Sequence, residues 1–229
     1  MRRWTSLTAA AMLAGSACAT DGGDDDTSVD DTSTDGDTTF EAEVWADNWS
    51  SMYVGDTLVM EDSVSITTER SFNAEVFTFQ ATLPFQLNVV MMDYKEDDSG
   101  LEYIGEPNQQ MGDGGYIAQI RRQDTGELVA VSDASWTCLT IHEAPLDKAC
   151  EDDEDPLETC GFTSSEEPDG WKDPDFDDSA WVAASVWSEA EVSPKEGYDA
   201  ITWDTTAELI WGADLETHNT ILCRLWVTA

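Results

Sequence analysis

WKDPDFDDSAW, from Trp171 to Trp181, holds two tryptophans, one phenylalanine and four aspartates within eleven residues. A cluster of this composition is open to three interpretations: a metal site, a pair of catalytic carboxylates, or a structural corner. The side chain of Asp177 or Asp178 can cap a short helical turn that follows it. Phe176 and Trp181 would then face inward and anchor that turn. We therefore interpret the stretch as a corner that packs on a larger apolar body.

The chain as a whole is strongly acidic. Its 229 residues include 10 Lys and Arg against 49 Asp and Glu, which gives a formal net charge of −39. This charge repels nucleic-acid phosphates and anionic membrane surfaces, so we expect neither as a partner. Hydrophobic residues still make up 41% of the chain, so there is material for a core. Because salt screens charge repulsion, we expect stability to rise with ionic strength.

The N-terminus has the pattern of an export signal. Two arginines precede a short apolar run, Leu7 to Ala14, that is too short to span a bilayer as a helix. Gly15 to Cys18 then resembles the lipobox of bacterial lipoproteins, which implies that residues 1–17 are a signal peptide and that Cys18 carries lipid. Ordinary signal-peptidase cleavage is the alternative. We expect a lipoprotein of the bacterial outer membrane or cell surface, touching the membrane only through its lipid, or else a secreted protein.

Composition divides the exported chain into a tether and one domain. Residues 18–39 include a long aspartate-rich run whose one hydrophobic residue is Val29, and such a low-complexity segment cannot bury a core. Residues 40–229 have the length and apolar content of a single domain. Within this domain, residues from about 144 to 170 are acidic and irregular, and we expect a cysteine-containing loop there.

The domain has the texture of strands rather than helices. Residues 73–81 alternate apolar and polar side chains, as a half-buried strand does. Residues 84–94 have a continuous apolar centre, which suits a strand covered on both faces. Turn signals such as Gln123 to Gly126 separate the runs at short spacing, and the best helical pattern lies at 178–187. The pattern predicts an all-β fold, a β-sandwich.

Four cysteines remain after export: Cys138, Cys150, Cys160 and Cys223. An oxidising compartment favours two disulfides, for which three connectivities are possible. Cys150 and Cys160 bracket an acidic loop and can pair locally. Cys138 and Cys223 both lie in strand-like runs and can then join non-adjacent strands. A four-cysteine zinc site would need CxxC spacing, which the chain lacks.

Four short motifs, in chain order, carry a resemblance to a known family. They are VWADNW with the following MYVG (44–49 and 52–55), SDASW (132–136), Trp171 with FDDSAW (176–181), and AELIW followed by TILCRL (207–211 and 220–225). Together they resemble the hairpin, strand-end and closing-strand motifs of galactose-binding-like jelly-roll domains, which occur as accessory modules in glycosidases. The usual Asn-Gly of the first hairpin is Gly55-Asp56 here.

This resemblance implies a sandwich of two antiparallel sheets that acts as an accessory or ligand-binding module. In many relatives, loops at one end bind sugars and a structural calcium is common. We therefore expect a non-catalytic surface or secreted binding module whose ligand is a carbohydrate. The alternative is a structural or adhesive surface lipoprotein that binds a protein and has no sugar site. Neither His142 nor His218 lies in a hydrolase motif, so we expect no enzyme activity.

Trp49 and its neighbours are the candidate ligand-binding residues. Tryptophan stacks on the apolar face of a sugar, and Trp49 lies in a polar turn where its ring can be exposed. Asp47 and Asn48 precede it in the same turn. Asp113 lies in the glycine-rich run Gly112 to Gly115, which predicts a tight turn, with a binding loop as the second interpretation.

Calcium is the candidate cofactor, because Ca²⁺ takes six to eight oxygen ligands from carboxylates and carbonyls. The densest acidic run, 151–155, lacks the alternating spacing of a calcium loop. Asp173 and Asp175 are the two acids of the opening stretch to which the corner assigns no task, and Asp47 lies in the predicted turn. These three are the candidate metal ligands, and a solvated acidic face is the alternative.

Overall fold

The computed structural model describes residues 37–68 and 72–228. The predicted signal peptide, the lipidation site at Cys18 and nearly all of the tether lie outside these residues. The described strands are β1 Thr38–Asp47, β2 Trp49–Val54, β3 Thr57–Glu61, β4 Ala74–Ala81, β5 Phe85–Met92, β6 Leu101–Glu102, β7 Gln110–Met111, β8 Gly115–Arg122, β9 Leu128–Val131, β10 Thr137–Glu143, β11 Thr163–Ser164, β12 Val182–Ala183, β13 Ser185–Trp187, β14 Leu209–Trp211 and β15 His218–Val227.

Helical structure is limited to single turns. The described α-helices are α1, Pro156–Thr159, and α2, Glu189–Val192, and two 3₁₀ turns cover Lys148–Asp152 and Tyr198–Ala200. None of the described helices is long and apolar enough to cross a membrane. The expectation of an all-β chain is therefore confirmed over the described residues.

Two antiparallel sheets form a β-sandwich. The first has the order β13-β14-β8-β1-β4, with β9 also beside β8, and the second has the order β11-β10-β15-β5-β2-β3, with β12 also beside β10. A separate ribbon pairs β6 with β7. In the first sheet, β1 pairs with β8 so that Asp47 lies opposite Gly115. This register brings the end of β1 beside the glycine-rich run that the sequence singles out.

The core lies between the two sheets. Phe40 and Val44 of β1 are buried against Leu87 and Met91 of β5 and Ile221 of β15. Alternate residues along a strand point to opposite faces, so Val89 of β5 also faces the core, whereas Asn88 and Val90 face away from it.

The outward face of β5 is covered as well. Val90 forms a second apolar cluster with Leu222 and Trp171, which comes from the opening stretch. The prediction that the β5 run is covered on both faces is therefore confirmed.

The opening stretch is a corner, but it is not helical. Asp177 Oδ1 accepts a hydrogen bond from the Ser179 N–H at 3.1 Å, and the chain then enters β12 and β13. The helix predicted at 178–187 is wrong, because Val182 pairs with Cys138 of β10 and Val186 pairs with Ile210 of β14. Pairing with distant strands outweighs the local helical pattern of these ten residues.

Both disulfides are present with the expected partners. Cys150–Cys160 closes the acidic loop, which contains one 3₁₀ turn and α1. Cys138–Cys223 joins β10 to β15. The expectation that this second bond links non-adjacent strands is wrong: the two cysteines are far apart in sequence but lie directly opposite each other on neighbouring strands.

Candidate functional site

A cleft of about 450 Å³ lies among the loops beside β8, β13 and β14. Small-molecule sites commonly have volumes of roughly 300–1,000 Å³. One wall comes from the connection between β14 and β15, another from the end of β13, and a third from the residues just before β8. The lining residues are Asp113, Lys148, Trp187, Glu191, Ala213, Asp214, Leu215 and Glu216.

Trp187 and Leu215 supply the apolar part of the cleft. Trp187 is half-buried, and its indole N–H donates to the Gly212 carbonyl at 3.1 Å, which fixes the orientation of the ring. The Gly114 N–H donates to the Leu215 carbonyl at 3.0 Å, and this bond ties the loop before β8 to the loop after β14. The two loops are therefore held together by main-chain contacts.

Lys148 organises the carboxylates on one side. Its ammonium group lies 3.0 Å from Asp214 Oδ2 and 2.8 Å from Glu216 Oε2. Burial acts to raise the pKa of Asp214, but the hydrogen bonds from Lys148 and from the Glu216 N–H outweigh it and lower that pKa. Asp214 is therefore an ionised hydrogen-bond acceptor at neutral pH.

Asp113 connects the cleft to a buried acidic cluster. Its carboxylate accepts hydrogen bonds from Lys195 Nζ at 2.8 and 3.1 Å. The same ammonium group lies 3.3 Å from Asp47 Oδ2, whose side chain is 1% exposed. Lys195 thus joins an aspartate at the surface of the cleft to one in the interior. We call Asp47, Asp93, Asp113 and Lys195 the buried acidic cluster.

Asp93 is the deepest member of this cluster. It follows β5, is 1% exposed, and neither oxygen of its carboxyl group has a hydrogen-bond partner. A Cβ added at Gly112 would lie 2.0 Å from Asp93 Oδ2, so only glycine permits this close approach. The glycine-rich run is therefore needed where the main chain passes over a buried carboxyl group and, at Gly114, over the Trp211 ring.

Burial dominates the ionisation of the buried aspartates. It raises the pKa of Asp47 to about 8, against the opposing effect of Lys195. Burial also raises the pKa of Asp93 well above its usual value, and the neighbouring carboxyl groups of Glu102, Asp47 and Asp113 raise it further. Burial lowers the pKa of Lys195, but Asp47 and Asp113 more than compensate and the net shift is upward.

The predicted ligand-binding residues are divided among three places. Asp47 and Asn48 are buried, and Asn48 Oδ1 accepts a hydrogen bond from the Tyr94 N–H at 2.5 Å. Asp113 lines the cleft. Trp49 lies elsewhere: it is half-buried and packs against the apolar cluster that contains Val90.

The predicted metal ligands are likewise separated. Asp173 and Asp175 lie in an exposed turn, where Asp173 Oδ1 accepts a hydrogen bond from the Asp175 N–H at 3.0 Å. Asp47 belongs instead to the buried acidic cluster. Over residues 37–68 and 72–228, no three or more His, Cys, Asp or Glu side chains are gathered in the manner of a metal site.

The two histidines are engaged in local contacts. His142 is 5% exposed; its Nε2 lies 3.3 Å from Asp98 Oδ1, and its ring stacks on Phe162. His218 Nδ1 lies 2.9 Å from Thr140 Oγ1. Burial lowers the pKa of His142 in spite of the aspartate.

Sequence reasoning missed most of the cleft and half of the buried acidic cluster. Asp214 and Glu216 lie in the polar connection between the last two strands, so a search of inter-strand loops would have found them. Trp187 carries no local motif that predicts whether its ring is buried or exposed. Asp93 ends an apolar strand and Lys195 lies in a distant loop, so neither carries a local signal.

Comparison with known proteins adds no relative. No protein-family model matches the chain, and neither the curated proteins nor the solved structures returned a match.

Proposed function

We propose that the chain is a non-catalytic, exported binding module that takes a carbohydrate in the cleft beside Trp187. The observation that carries this proposal is the pairing of a fixed, half-exposed tryptophan ring with several carboxyl groups in one hollow. Sugars offer an apolar ring face that stacks on aromatic side chains and hydroxyl groups that donate to carboxylates. Asp113, Asp214 and Glu216 supply such acceptors around Trp187.

The more apolar hollow beside Phe72 is a weaker candidate. It has a volume of about 490 Å³, and its polar side chains are Asn73 and Glu196. It offers fewer converging acceptors for hydroxyl groups than the cleft at Trp187 does.

The ionisation of the cleft supports a binding role rather than hydrolysis. A glycosidase needs one carboxylic acid with a raised pKa to protonate the leaving group. In the cleft, hydrogen bonds lower the pKa of Asp214, and those from Ser188 lower the pKa of Glu191. These carboxylates accept hydrogen bonds at neutral pH but hold no proton to donate.

The proposed architecture is that of a galactose-binding-like jelly roll on a lipid-anchored chain. The sandwich of antiparallel sheets and the chain order of the four motifs support the first part. Two disulfides are compatible with export, which supports the second part.

A glycan array with matched variants tests the binding proposal. Trp187→Ala should abolish the response of any glycan that binds the native chain, and Asp214→Ala should weaken it. Trp226→Ala is the control, because Trp226 is 49% exposed but does not line the cleft. Silence of the native chain on neutral, amino and acidic glycans, with and without Ca²⁺, would contradict the proposal.

A protein partner is the second candidate function. Three large apolar side chains in or beside the disulfide-closed loop are exposed: Leu146, Leu157 and Phe162. Exposed apolar side chains on and beside one loop suit a protein contact. Binding of the labelled chain to whole cells distinguishes the two functions, because periodate treatment of the cells removes a carbohydrate receptor and protease treatment removes a protein one.

A further inference from the structure

Lys195 and Asp47 bring an amine and a carboxyl group into contact at a site that is largely shielded from water. Lys195 Nζ lies 3.3 Å from Asp47 Oδ2. The side chain of Asp47 is 1% exposed, and the ring of Phe72 covers the ammonium group, with the ring centroid 4.7 Å from Nζ. An amine and a buried acid at this separation are the two reactants of an amide bond.

The main chain holds the two reacting groups in place. Asp47 ends β1, and Trp45 of the same strand donates its indole N–H to the Glu196 carbonyl at 3.1 Å. This bond fixes the residue next to Lys195 against the strand that carries Asp47. Groups held roughly 3–3.5 Å apart react with an effective molarity that reaches about 10⁵–10⁸ M. Such proximity favours condensation over the reverse attack by water.

The two carboxyl groups beside Lys195 differ in burial and therefore in chemistry. Burial raises the pKa of Asp47 to about 8 against the opposing charge of Lys195, and Asp113 raises it further. At neutral pH Asp47 is therefore mostly the uncharged acid, the form that an amine can attack. The side chain of Asp113 is 40% exposed and so is hydrated. Asp113 accepts two hydrogen bonds from Nζ, at 2.8 and 3.1 Å, which places it to take a proton from the lysine.

The lysine needs such a base. Burial lowers the pKa of Lys195, but Asp47 and Asp113 raise it overall, so the side chain is an ammonium group at neutral pH. An ammonium group has no free electron pair, and a lysine becomes a nucleophile only when its proton is removed.

We propose that Lys195 and Asp47 form an intramolecular isopeptide bond, with Asp113 as the base. The Asp113 carboxylate takes one proton from the ammonium group, and the neutral Nζ attacks Cγ of the protonated Asp47 carboxyl group. The new C–N bond forms as the C–O bond to the hydroxyl oxygen breaks. Nζ gives a second proton to that oxygen, which leaves as water. Asp113 then returns its proton to solvent, and the step needs no oxidant, reductant or cofactor.

The bond ties a covering segment to the sheet beneath it. Tyr198 and Trp203, which follow Lys195 in the chain, pack with Trp45 on the outer face of the first sheet. An amide at Asp47 joins this segment covalently to β1 and replaces a buried acid with a neutral group. The proposal stands whether or not the cleft binds a carbohydrate, and Asp113 is the residue that the two proposals share.

Peptide mass mapping of the reduced, denatured full chain tests the bond. Trypsin cleaves after Arg70 and Lys95, so Asp47 and Asp113 fall on different peptides. The native chain should give two peptides joined through Lys195 and Asp47, lighter than their sum by one water. Lys195→Arg keeps the positive charge and should lose the joined pair completely. Only unjoined peptides from the native chain, or a lysine joined to Asp113 instead, would overturn the proposal.

Two further variants complete the test. Lys172→Arg is the matched control and should keep the joined pair, because Lys172 lies 3.6 Å from Glu167, whose side chain is 46% exposed. Asp113→Asn retains both reactants but removes the base, which contributes roughly 10²–10⁴-fold in rate. Its joined fraction should therefore fall at least about tenfold at a matched time after synthesis. Loss of the joined pair in Lys172→Arg, or an undiminished yield in Asp113→Asn, counts against the mechanism.

Discussion

Arg224 attaches the opening stretch to the sandwich, and its replacement is the most direct test of that arrangement. The side chain is 2% exposed and emerges from β15. Its guanidinium donates to Asn88 Oδ1 at 3.3 Å, to the Phe176 carbonyl at 3.2 Å and to the Asp173 carbonyl at 2.7 Å. It also pairs with the carboxylate of Asp178. Three of these four acceptors belong to residues 171–181.

The cost of Arg224→Met follows from these contacts. Each hydrogen bond to a charged group contributes about 1.5–3 kcal/mol net, so four give an upper bound of roughly 6–12 kcal/mol. Asp173 is exposed and the Asp178 side chain is 36% exposed, so water replaces part of the loss. We therefore expect a decrease of about 3–5 kcal/mol in the free energy of unfolding, the usual cost of breaking a buried charged contact.

Two further variants separate charge from geometry. Arg224→Lys keeps the charge but loses the planar fork of donors, so its cost should be about half that of Arg224→Met. Asp178→Asn removes only the partly exposed carboxylate and should cost at most about 1 kcal/mol. Urea unfolding followed by tryptophan fluorescence measures all three, since Trp171 and Trp181 lie in the attached segment. A cost below about 1 kcal/mol for Arg224→Met would refute the reasoning, because Arg224 would then not hold the corner.

Three other predictions concern burial and charge. Asp62 is 7% exposed and burial raises its pKa to about 6, so the folded state binds a proton more tightly than the unfolded state and loses stability as pH rises through this range. Asp62→Asn should therefore stabilise the chain by about 1–3 kcal/mol at pH 8 and by almost nothing near pH 3.5, as urea unfolding at the two pH values will show. Phe176→Ala and Trp181→Ala should each lower the free energy of unfolding by about 1.5–3 kcal/mol. Trp45→Ala should lower it by roughly 3–5 kcal/mol, because of the three side chains only Trp45 is fully buried. Equal losses in calorimetric melts would contradict this difference. The Tm should rise between low salt and about 0.5 M NaCl, since the net charge is −39, and a flat or falling Tm would exclude self-repulsion as a major term.

The strands were predictable because their signals are local. The alternation in residues 73–81 became β4, and the continuous apolar run 84–94 became β5 with both faces covered. The hairpin predicted at Gln123 to Gly126 joins β8 to β9, and Gly126 has a φ of +74°. In each case the local pattern indicates a strand and which of its faces are buried, so the element can be predicted before its partner strands are known.

The predictions that failed concern residues whose structure depends on strands far away in sequence. The segment 178–187 carries a helical pattern, but its structure is decided by β10 and β14, whose edges it pairs with. Phe176 and Trp181 were expected to be core residues, and they are half-buried because the segment covers the outer face of a sheet rather than the space between sheets. A periodic pattern predicts which side chains are buried but not which of two faces buries them.

The buried acidic cluster shows the same limit of local sequence patterns, because its members come from distant parts of the chain. Asp47 and Asp113 could be singled out because each lies in a local motif, a polar turn or a glycine-rich run. Lys195, which joins them, is more than eighty residues from Asp113, and nothing near it in sequence predicts the contact. The burial of Asp93 is even harder to predict, because an aspartate at the end of an apolar strand is ordinarily a solvated turn residue. Asp93 differs from such turn residues because Gly112 packs directly on its carboxyl group. With a net charge of −39, most other acidic residues of the described chain are at the surface, so the burial of Asp93 is unusual. Burial raises the pKa of this acid well above its usual value, so the folded chain favours the neutral, protonated form of Asp93, a property that no local sequence pattern announces.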